Sequence, residues 1–372
     1  MKHEIVFRDV GIYASHPHLV VAADGVWHLV FNTAHGREFV LHPPLDPDFR
    51  NVIVRSKDEG RRWGEPRGAP DDAARGMECA GLSALPDGSV LVNQWQFDWI
   101  DPDEAGLRDD VATALPEALF EAWRHSPEFD GLHSSSQARA ASRHFQLARV
   151  GGRSQVFRVH GDGSFGPVRG IDTGPFAGGY GMRGAAVLDD GTVLLPLCDV
   201  PHYRNVFVVR SDDGGRTWSR PLLVAGASGK EFEEPAPVVL PNGELFMVMR
   251  ENRTRVLHET RSADGGSSWS EPLSIGVPDY PADLALLHDG RLAMVAGRRH
   301  ANYGVILYLS DDNGTNWGGA WTVRNDLPNR DAGYPAVAQR SNGDLVIVYY
   351  GRDDGVTSIL QTVVPIDAIE SG

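Results

Sequence analysis

Side chains able to transfer protons or to attack an electrophile stand at repeated distances before a series of Asp-Gly and Asn-Gly pairs. The six pairs end at glycines distributed along the whole chain: Gly25, Gly88, Gly191, Gly243, Gly290 and Gly343. The residues nine or ten positions before these glycines include His16, Glu78, Glu234 and Tyr334. Seven or eight positions before their own glycines are His18, Arg183 and Asp283. Such polar groups in one part of a repeated unit are unusual for a purely packed core, so they are our first candidates for a functional site.

Glu234 and Tyr334 form the strongest pair among these candidates. A carboxylate next to a phenol can take its proton and make it a nucleophile or a base at neutral pH. An alternative for Glu234 is a structural ion pair with Arg250. We interpret His16 as a general acid or base, or as a hydrogen-bond donor to substrate hydroxyls. His16 and His18 lie on one face of a regular strand, but without a clear third ligand we predict no metal site.

The elements that position these residues are predicted by two interleaved repeats. An Asp-Gly or Asn-Gly pair between two apolar runs indicates a β-hairpin, because both turn positions favour a positive φ. The second repeat, S-x-D-x-G-x-x-W, occurs at residues 56–63, 211–218, 262–269 and 310–317. The last three copies start 51 and 48 residues apart, which leaves room for four strands in each unit. The Asp can accept bonds from turn amides and the Trp can pack between sheets, so we interpret the octapeptides as scaffold.

Repeats of this size predict an all-β protein, a six-bladed β-propeller with four-stranded blades. Six hairpins give six blades in a single domain covering residues 1–372, with the N-terminal strand EIVFR expected to complete the last blade. The second blade carries a partly helical insertion around residues 97–145, which is expected to cap one face. Trp95, Phe97 and Trp99, at the start of this insertion, are interpreted as an aromatic platform for a sugar face, with core packing as an equal alternative for Trp95.

The composition restricts the class of protein. Lys and Arg number 35 and Asp and Glu number 50, which gives a net charge of −15. This acidic balance argues against binding to nucleic acid or to a membrane surface through bulk charge. No stretch approaches about 18 apolar residues and the N-terminus lacks the apolar segment of a secretory signal, so we expect a cytoplasmic protein. Cys79 and Cys198 offer neither a disulfide framework nor a zinc pattern, and no cofactor is predicted.

The S-x-D-x-G-x-x-W octapeptides are similar to the Asp boxes, or BNR repeats, of the sialidase (neuraminidase) superfamily, and the resemblance extends over nearly the whole chain. In sialidases a Tyr nucleophile is paired with a Glu, an Asp is the acid/base, and three arginines bind the substrate carboxylate. Glu234 and Arg250, sixteen residues apart across a hairpin, resemble the family's Glu and one of its arginines. Gly333-Tyr334 resembles the Gly-Tyr that carries the nucleophile. The resemblance therefore implies a carbohydrate substrate.

The resemblance also assigns roles outside this pair. Asp46 and Asp48 lie ten and eight residues before the first Asp box, roughly where the sialidase acid/base sits, although an Asp next to a proline is also ordinary turn chemistry. Arg37 resembles an arginine that follows the second strand of the first blade in sialidases. The substrate-binding set is then predicted to be Arg250, Arg183, Arg37, Glu78, Asp283 and His18.

Two of the three family arginines are absent from their expected positions. Ser15 stands where the first is expected, and Asn302 and Tyr303 stand where the last is expected; Arg298 and Arg299 are nearby but poorly placed. A screened bidentate contact between Arg and a carboxylate contributes about 1.5–3 kcal/mol, so losing two would weaken the binding of a carboxylated sugar by orders of magnitude. The sequence therefore predicts a member of the superfamily that does not act on sialic acid.

The predicted function is that of a sialidase-like glycoside hydrolase that cleaves a terminal sugar from an oligosaccharide or glycoconjugate. Two alternatives stay open on the same scaffold. One is a polysaccharide or oligosaccharide lyase, in which His16 and Tyr334 abstract and return protons beside a uronate. The other is a non-catalytic carbohydrate-binding propeller, because a fold does not fix a function.

Overall fold

The computed structural model describes residues 1–36, 49–71, 76–100, 148–200, 202–226 and 229–370. These residues form six four-stranded antiparallel sheets, the blades of a β-propeller. The chain begins with β1 (Lys2–Phe7), which belongs to the last blade. Blade 1 contains β2 (Ile12–Val21), β3 (Trp27–His35), β4 (Arg50–Ser56) and β5 (Arg67–Gly68). Blade 2 contains β6 (Gly76–Ala84), β7 (Val90–Ile100), β8 (Ala148–Val159) and β9 (Arg169–Gly170).

The remaining blades repeat this order. Blade 3 contains β10 (Ala186–Val187), β11 (Val193–Cys198), β12 (Val206–Ser211) and β13 (Leu222–Ala225). Blade 4 contains β14 (Phe232–Val239), β15 (Leu245–Glu251), β16 (Val256–Ser262) and β17 (Leu273–Ser274). Blade 5 contains β18 (Ala282–Leu286), β19 (Leu292–Arg298), β20 (Gly304–Ser310) and β21 (Gly318–Arg324). Blade 6 contains β22 (Gly333–Gln339), β23 (Leu345–Asp353), β24 (Val356–Val364) and β1.

The ring is closed by pairing between the two ends of the chain, as the sequence predicts. Strand β1 runs antiparallel to β24, with Lys2 opposite Val363 and Ile5 opposite Leu360. After β24 the described part of the chain ends in a short helix, α1 (Ile366–Glu370). No helix among the described residues has the length and apolarity needed to cross a membrane.

The predicted hairpins connect the first and second strands of every blade. All six turn glycines have positive φ, from 79° at Gly25 to 93° at Gly343. Because the first strands surround the propeller axis, residues before each turn face a central channel, with the turns at one end of it. The hydrophobic side chains that hold the blades together form clusters between neighbouring sheets, and Cys79 and Cys198 are both free and buried.

The Asp boxes lie between the third and fourth strands of blades 1, 3, 4 and 5 and have the same turn geometry in each. In the last of them, the Ser310 hydroxyl donates to Asp312 Oδ1 at 2.8 Å and accepts a bond from Gly314 N at 2.8 Å. Asp312 also accepts bonds from the backbone and side-chain nitrogens of Asn316 at 2.8 and 2.7 Å. The box tryptophans are half-buried and pack against the core clusters. The bonds of Ser310 and Asp312 thus hold the turn itself, and the tryptophans anchor the turns to the core, as expected of scaffold.

The acidic side chain of the box gives a prediction about stability and pH. The Asn316 backbone amide, together with the Asn316 and Ser310 side chains, lowers the pKa of Asp312 to about 2. This folded-state pKa lies below that of an unfolded Asp, about 4, so the contribution to stability is present above pH about 4 and is lost as the pH falls through about 2. We expect Asp312→Ala to lower the thermal midpoint near neutral pH.

The adjacent, exposed Asp311 provides the matched control for this variant. Asp311→Ala should leave the midpoint nearly unchanged at neutral pH, and the gap between the two variants should close as the sample is acidified. Thermal melts followed by circular dichroism across this pH range measure both effects. A gap that is independent of pH would contradict the role of the ionised carboxylate.

The structure describes only the first residues of the insertion predicted in blade 2. Its first predicted residues, 97–100, continue β7, and residues 101–147 lie outside the described residues. Trp95 and Phe97 are each 1% exposed, their ring centroids are 5.1 Å apart, and Trp95 Nε1 donates to Gly178 O at 3.0 Å. Both residues are therefore core residues rather than an exposed platform, whereas Trp99 is described only as part of the strand.

Candidate active site

Three of the first strands contain the same local distortion where the candidate residues lie. The strand register shifts between Ser15 and His18 in β2, between Glu233 and Ala236 in β14, and between Gly333 and Ala336 in β22. In each case the residue inside the β-bulge has a left-handed backbone and precedes a proline: His16 (φ 50°), Glu234 (φ 57°) and Tyr334 (φ 47°). This conformation is costly for residues other than glycine and re-aims the side chain. The bulges direct three candidate side chains from three blades towards one another.

Glu234 and Tyr334 form a direct hydrogen bond across the channel. The Tyr334 hydroxyl donates to Glu234 Oε1 at 2.7 Å, and both residues are 3% exposed. Burial, opposed by the bond from Tyr334 and by nearby arginines, raises the pKa of Glu234. Burial and the negative charge of Glu234 raise the pKa of Tyr334 well above that of a free phenol. The pair is therefore a neutral phenol donating to a carboxyl group that is a stronger base than an exposed one.

Arg250 is held by two carboxylates next to this pair. It forms an ion pair with Glu233, and its Nη1 lies 3.2 Å from Glu234 Oε2. Its Nε donates to Asn252 Oδ1 at 2.8 Å, and its guanidinium carbon lies 5.2 Å from the centroid of the Tyr280 ring. The ion pair considered as an alternative role for Glu234 thus coexists with the bond to Tyr334.

The ring of His16 packs directly against Tyr334. Their ring centroids are 4.2 Å apart, the Tyr350 ring lies 4.9 Å from His16, and His16 Nδ1 is 2.8 Å from Ser15 Oγ. His18 instead contacts Leu82 N and Asp283, because the register shift adds one residue between the two histidines. The expectation that both rings share one strand face is therefore wrong. Among the described residues, no three His, Cys, Asp or Glu side chains are grouped so as to hold a metal ion.

Arg299 lies in this site, although its spacing in the sequence does not match that of the last family arginine. Its guanidinium carbon is 5.2 Å from the centroid of the Tyr334 ring, and its Nε donates to Arg330 O at 3.1 Å. Sequence reasoning also missed Tyr350 and Asp331, which line the same region: the Tyr350 hydroxyl donates to Asp331 Oδ1 at 2.9 Å. Tyr350 could have been found by counting, because it follows its hairpin glycine by seven residues, as Arg250 does.

The other sequence candidates are distributed differently. His18, Asp283 and Arg183 lie further along the channel, towards the hairpin turns, and His18 Nε2 is 3.6 Å from Asp283 Oδ1. Glu78 is buried at a register shift in β6, on the same ring of first strands. The remaining three candidates, Arg37, Asp46 and Asp48, lie outside the described residues.

Comparisons with known proteins agree with this fold. Residues 169–347 match the family model of the BNR repeat-like domain. A protein of unknown function from Dyadobacter fermentans has 21% identity and a TM-score of 0.81, with 97% of each chain covered. A variant of the NanB sialidase from Streptococcus pneumoniae has 12% identity and a TM-score of 0.70, with 98% of this chain and 70% of that chain covered.

The leech intramolecular trans-sialidase, in complex with 2,7-anhydro-Neu5Ac, has 14% identity and a TM-score of 0.67, with 100% of this chain and 71% of that chain covered. No curated protein matches the sequence significantly. The chain is thus a six-bladed propeller with BNR repeats and the fold of the sialidases. At these low identities the likeness establishes the fold, and the reaction has to be argued from the site.

Proposed function

We propose that this protein is a glycoside hydrolase that cleaves a terminal sugar, other than sialic acid, from an oligosaccharide or glycoconjugate. The observation that carries the proposal is the 2.7 Å hydrogen bond from the Tyr334 hydroxyl to Glu234. A buried phenol in this arrangement has its proton acceptor already in place. Three costly bulges aimed at one point also favour a functional over a structural origin for the cluster.

The proposed reaction has two steps. As Tyr334 Oη attacks the anomeric carbon, its proton passes to Glu234 and the bond to the leaving oxygen breaks, with Asp46 or Asp48 supplying the proton to that oxygen. A water molecule then attacks the same carbon as the bond from that carbon to Tyr334 Oη breaks. The water's proton passes to the same Asp, and Glu234 returns the first proton to the departing Tyr334 oxygen. His16 and Arg299, which contact the Tyr334 ring, would hold the sugar next to it.

The charges around the pair favour a substrate other than sialic acid. Arg250 is engaged by Glu233 and Glu234, so a substrate carboxylate would have to compete with two carboxylates already present. Ser15, at the position of a family arginine, is fully buried and contacts His16. Arg299 is a cation near Tyr334 that the sequence did not place there, and it provides a partner for a single carboxylate in a different position, such as that of a uronide.

A lyase is the second candidate, favoured by the 4.2 Å contact between the His16 and Tyr334 rings. In that reaction one of the two groups removes the proton next to the uronate carboxylate. The other gives a proton to the oxygen that leaves as the double bond forms. Arg299 would stabilise the carboxylate during the elimination.

A panel of aryl glycosides and uronate-containing oligosaccharides distinguishes the hydrolase, the lyase and the carbohydrate-binding module. We expect release of the aryl group from a neutral or uronic glycoside, and negligible release from an aryl sialoside. Product absorbance in the unsaturated-uronate band instead identifies the lyase. Sialoside hydrolysis as fast as that of a neutral glycoside would contradict the argument from the arginines. Saturable carbohydrate binding without any turnover would support the binding module.

A further inference from the structure

A cavity lies on the propeller axis, at the end of the channel where the hairpin turns are. Its volume is about 410 Å³, and its lining comes from all six blades. The lining residues follow the bulges in sequence, from His18 to Val21 in β2 and from Val337 to Gln339 in β22. Tyr334 and Glu234 do not line it. The channel therefore has a ligand-sized space that the proposed reaction does not use.

The inner end of this cavity contains a buried cation with unused hydrogen-bond donors. Arg183 is 1% exposed, and its Nε donates to Ala282 O at 3.0 Å. Its Nη1 and Nη2 are buried and have no hydrogen-bond partner among the described residues. Burying a guanidinium in this way is costly unless its donors are satisfied, so the site favours a group that brings acceptor oxygens.

The charge of Arg183 acts on the neighbouring carboxylate of Asp283, but among the described residues this carboxylate makes no hydrogen bond to the Arg183 Nη groups. Asp283 Oδ2 accepts a bond from Val337 N at 3.3 Å, and Oδ1 lies 3.6 Å from His18 Nε2. His18 Nδ1 accepts a bond from Leu82 N at 2.9 Å, so its proton is on Nε2, facing Asp283. The unused groups at this end of the cavity are thus hydrogen-bond donors that need an acceptor. A carboxylate can accept bonds from both Nη groups at once.

The walls between Arg183 and the opening combine polar and apolar surface in similar amounts. The apolar part includes Val21, Val187 and Leu284, and Leu286, at 39% exposed, lies towards solvent. A ligand that pairs with Arg183 would place the rest of its structure along these side chains. Apolar area removed from water there adds to its affinity.

We propose that this cavity binds a small aliphatic monocarboxylate. The carboxylate pairs with the two free Nη groups of Arg183, and the alkyl chain lies against the wall that ends at Leu286. Neither Tyr334 nor Glu234 lines this cavity, and binding there does not depend on the reaction proposed for that pair.

Titration calorimetry with hexanoate, acetate and 1-hexanol on the full chain tests this proposal. Hexanoate should bind about tenfold or more tightly than either of the others, because acetate lacks the chain and hexanol lacks the charge. Leu286→Glu should weaken hexanoate binding by about tenfold or more through repulsion and lost apolar contact. Leu273→Glu, a leucine 63% exposed on β17, is the matched control and should change nothing.

Arg183→Gln should abolish hexanoate binding if the variant folds. If it does not fold, the loss of hexanoate affinity in Leu286→Glu is the test of the site. Three results would overturn the proposal: no saturable binding of hexanoate, equal binding of hexanol, or hexanoate affinity that Leu286→Glu leaves unchanged. Competition by inorganic phosphate at equal affinity would also count against it, because it would show a site for any anion.

Discussion

Replacing Tyr334 with Phe should lower kcat by about 100-fold or more and leave the protein folded. The change removes one hydroxyl, and with it the nucleophile and the 2.7 Å bond to Glu234. The ring contacts with His16 and Tyr350 do not depend on that hydroxyl. Initial rates on the best substrate of the glycoside panel, together with thermal melts, measure both effects.

Tyr350→Phe is the matched control for this variant. Tyr350 is buried in the same cluster, but its hydroxyl donates to Asp331 rather than to Glu234. We expect it to retain much more activity than Tyr334→Phe. A kcat of Tyr334→Phe equal to that of the wild type would rule out the sialidase-like reaction. The carbohydrate-binding module would then be the better hypothesis.

The fold could be predicted because it is repeated in the sequence. A turn that needs a positive φ appears once in each blade, and the Asp box marks the third turn in four of them. Neither signal depends on contacts between distant residues. What the sequence could not provide is the structure of the insertion, because 101–147 contain neither repeat and lie outside the described residues.

The pairing of Glu234 with Tyr334 was predictable for a related reason. The two residues stand at the same position of their blades, and equivalent positions of a propeller lie at equal depth around the axis. Each is also followed by proline, as His16 is, and this shared feature marks the three bulges. The bulges themselves could not be predicted from strand alternation, which is why His16 and His18 were expected on one face.

Arg299 shows where counting along the chain fails. It follows the end of β19, so its position depends on the path of a loop rather than on a strand register. Only the structure shows that the loop brings its guanidinium to 5.2 Å from the Tyr334 ring centroid. The same holds for the inner end of the cavity at the hairpin turns, since no sequence pattern shows that the Nη groups of Arg183 lack partners among the described residues.

Glu234→Gln should abolish most activity without destabilising the protein. We expect kcat to fall by about 100-fold or more, because Gln cannot accept the Tyr334 proton. Stability should stay the same or rise, because burial raises the pKa of Glu234 and so disfavours its ionised form in the folded state. Arg250 keeps its partner Glu233 in this variant. Glu233→Gln, the adjacent carboxylate, is the control and should retain more activity.

The pH dependence follows from the same raised pKa and has a definite sign. Wild-type activity should fall as the pH drops below the pKa of Glu234, because the protonated acid cannot serve as a base. A folded pKa above the unfolded value stabilises the protein at low pH, and this stabilisation is lost as the pH rises through the folded pKa. The stability advantage of Glu234→Gln over wild type should therefore grow as the pH rises through that range. A variant that is strongly destabilised yet active would instead make Glu234 a structural partner of Arg250, because only a structural ion pair is needed for folding and dispensable for turnover.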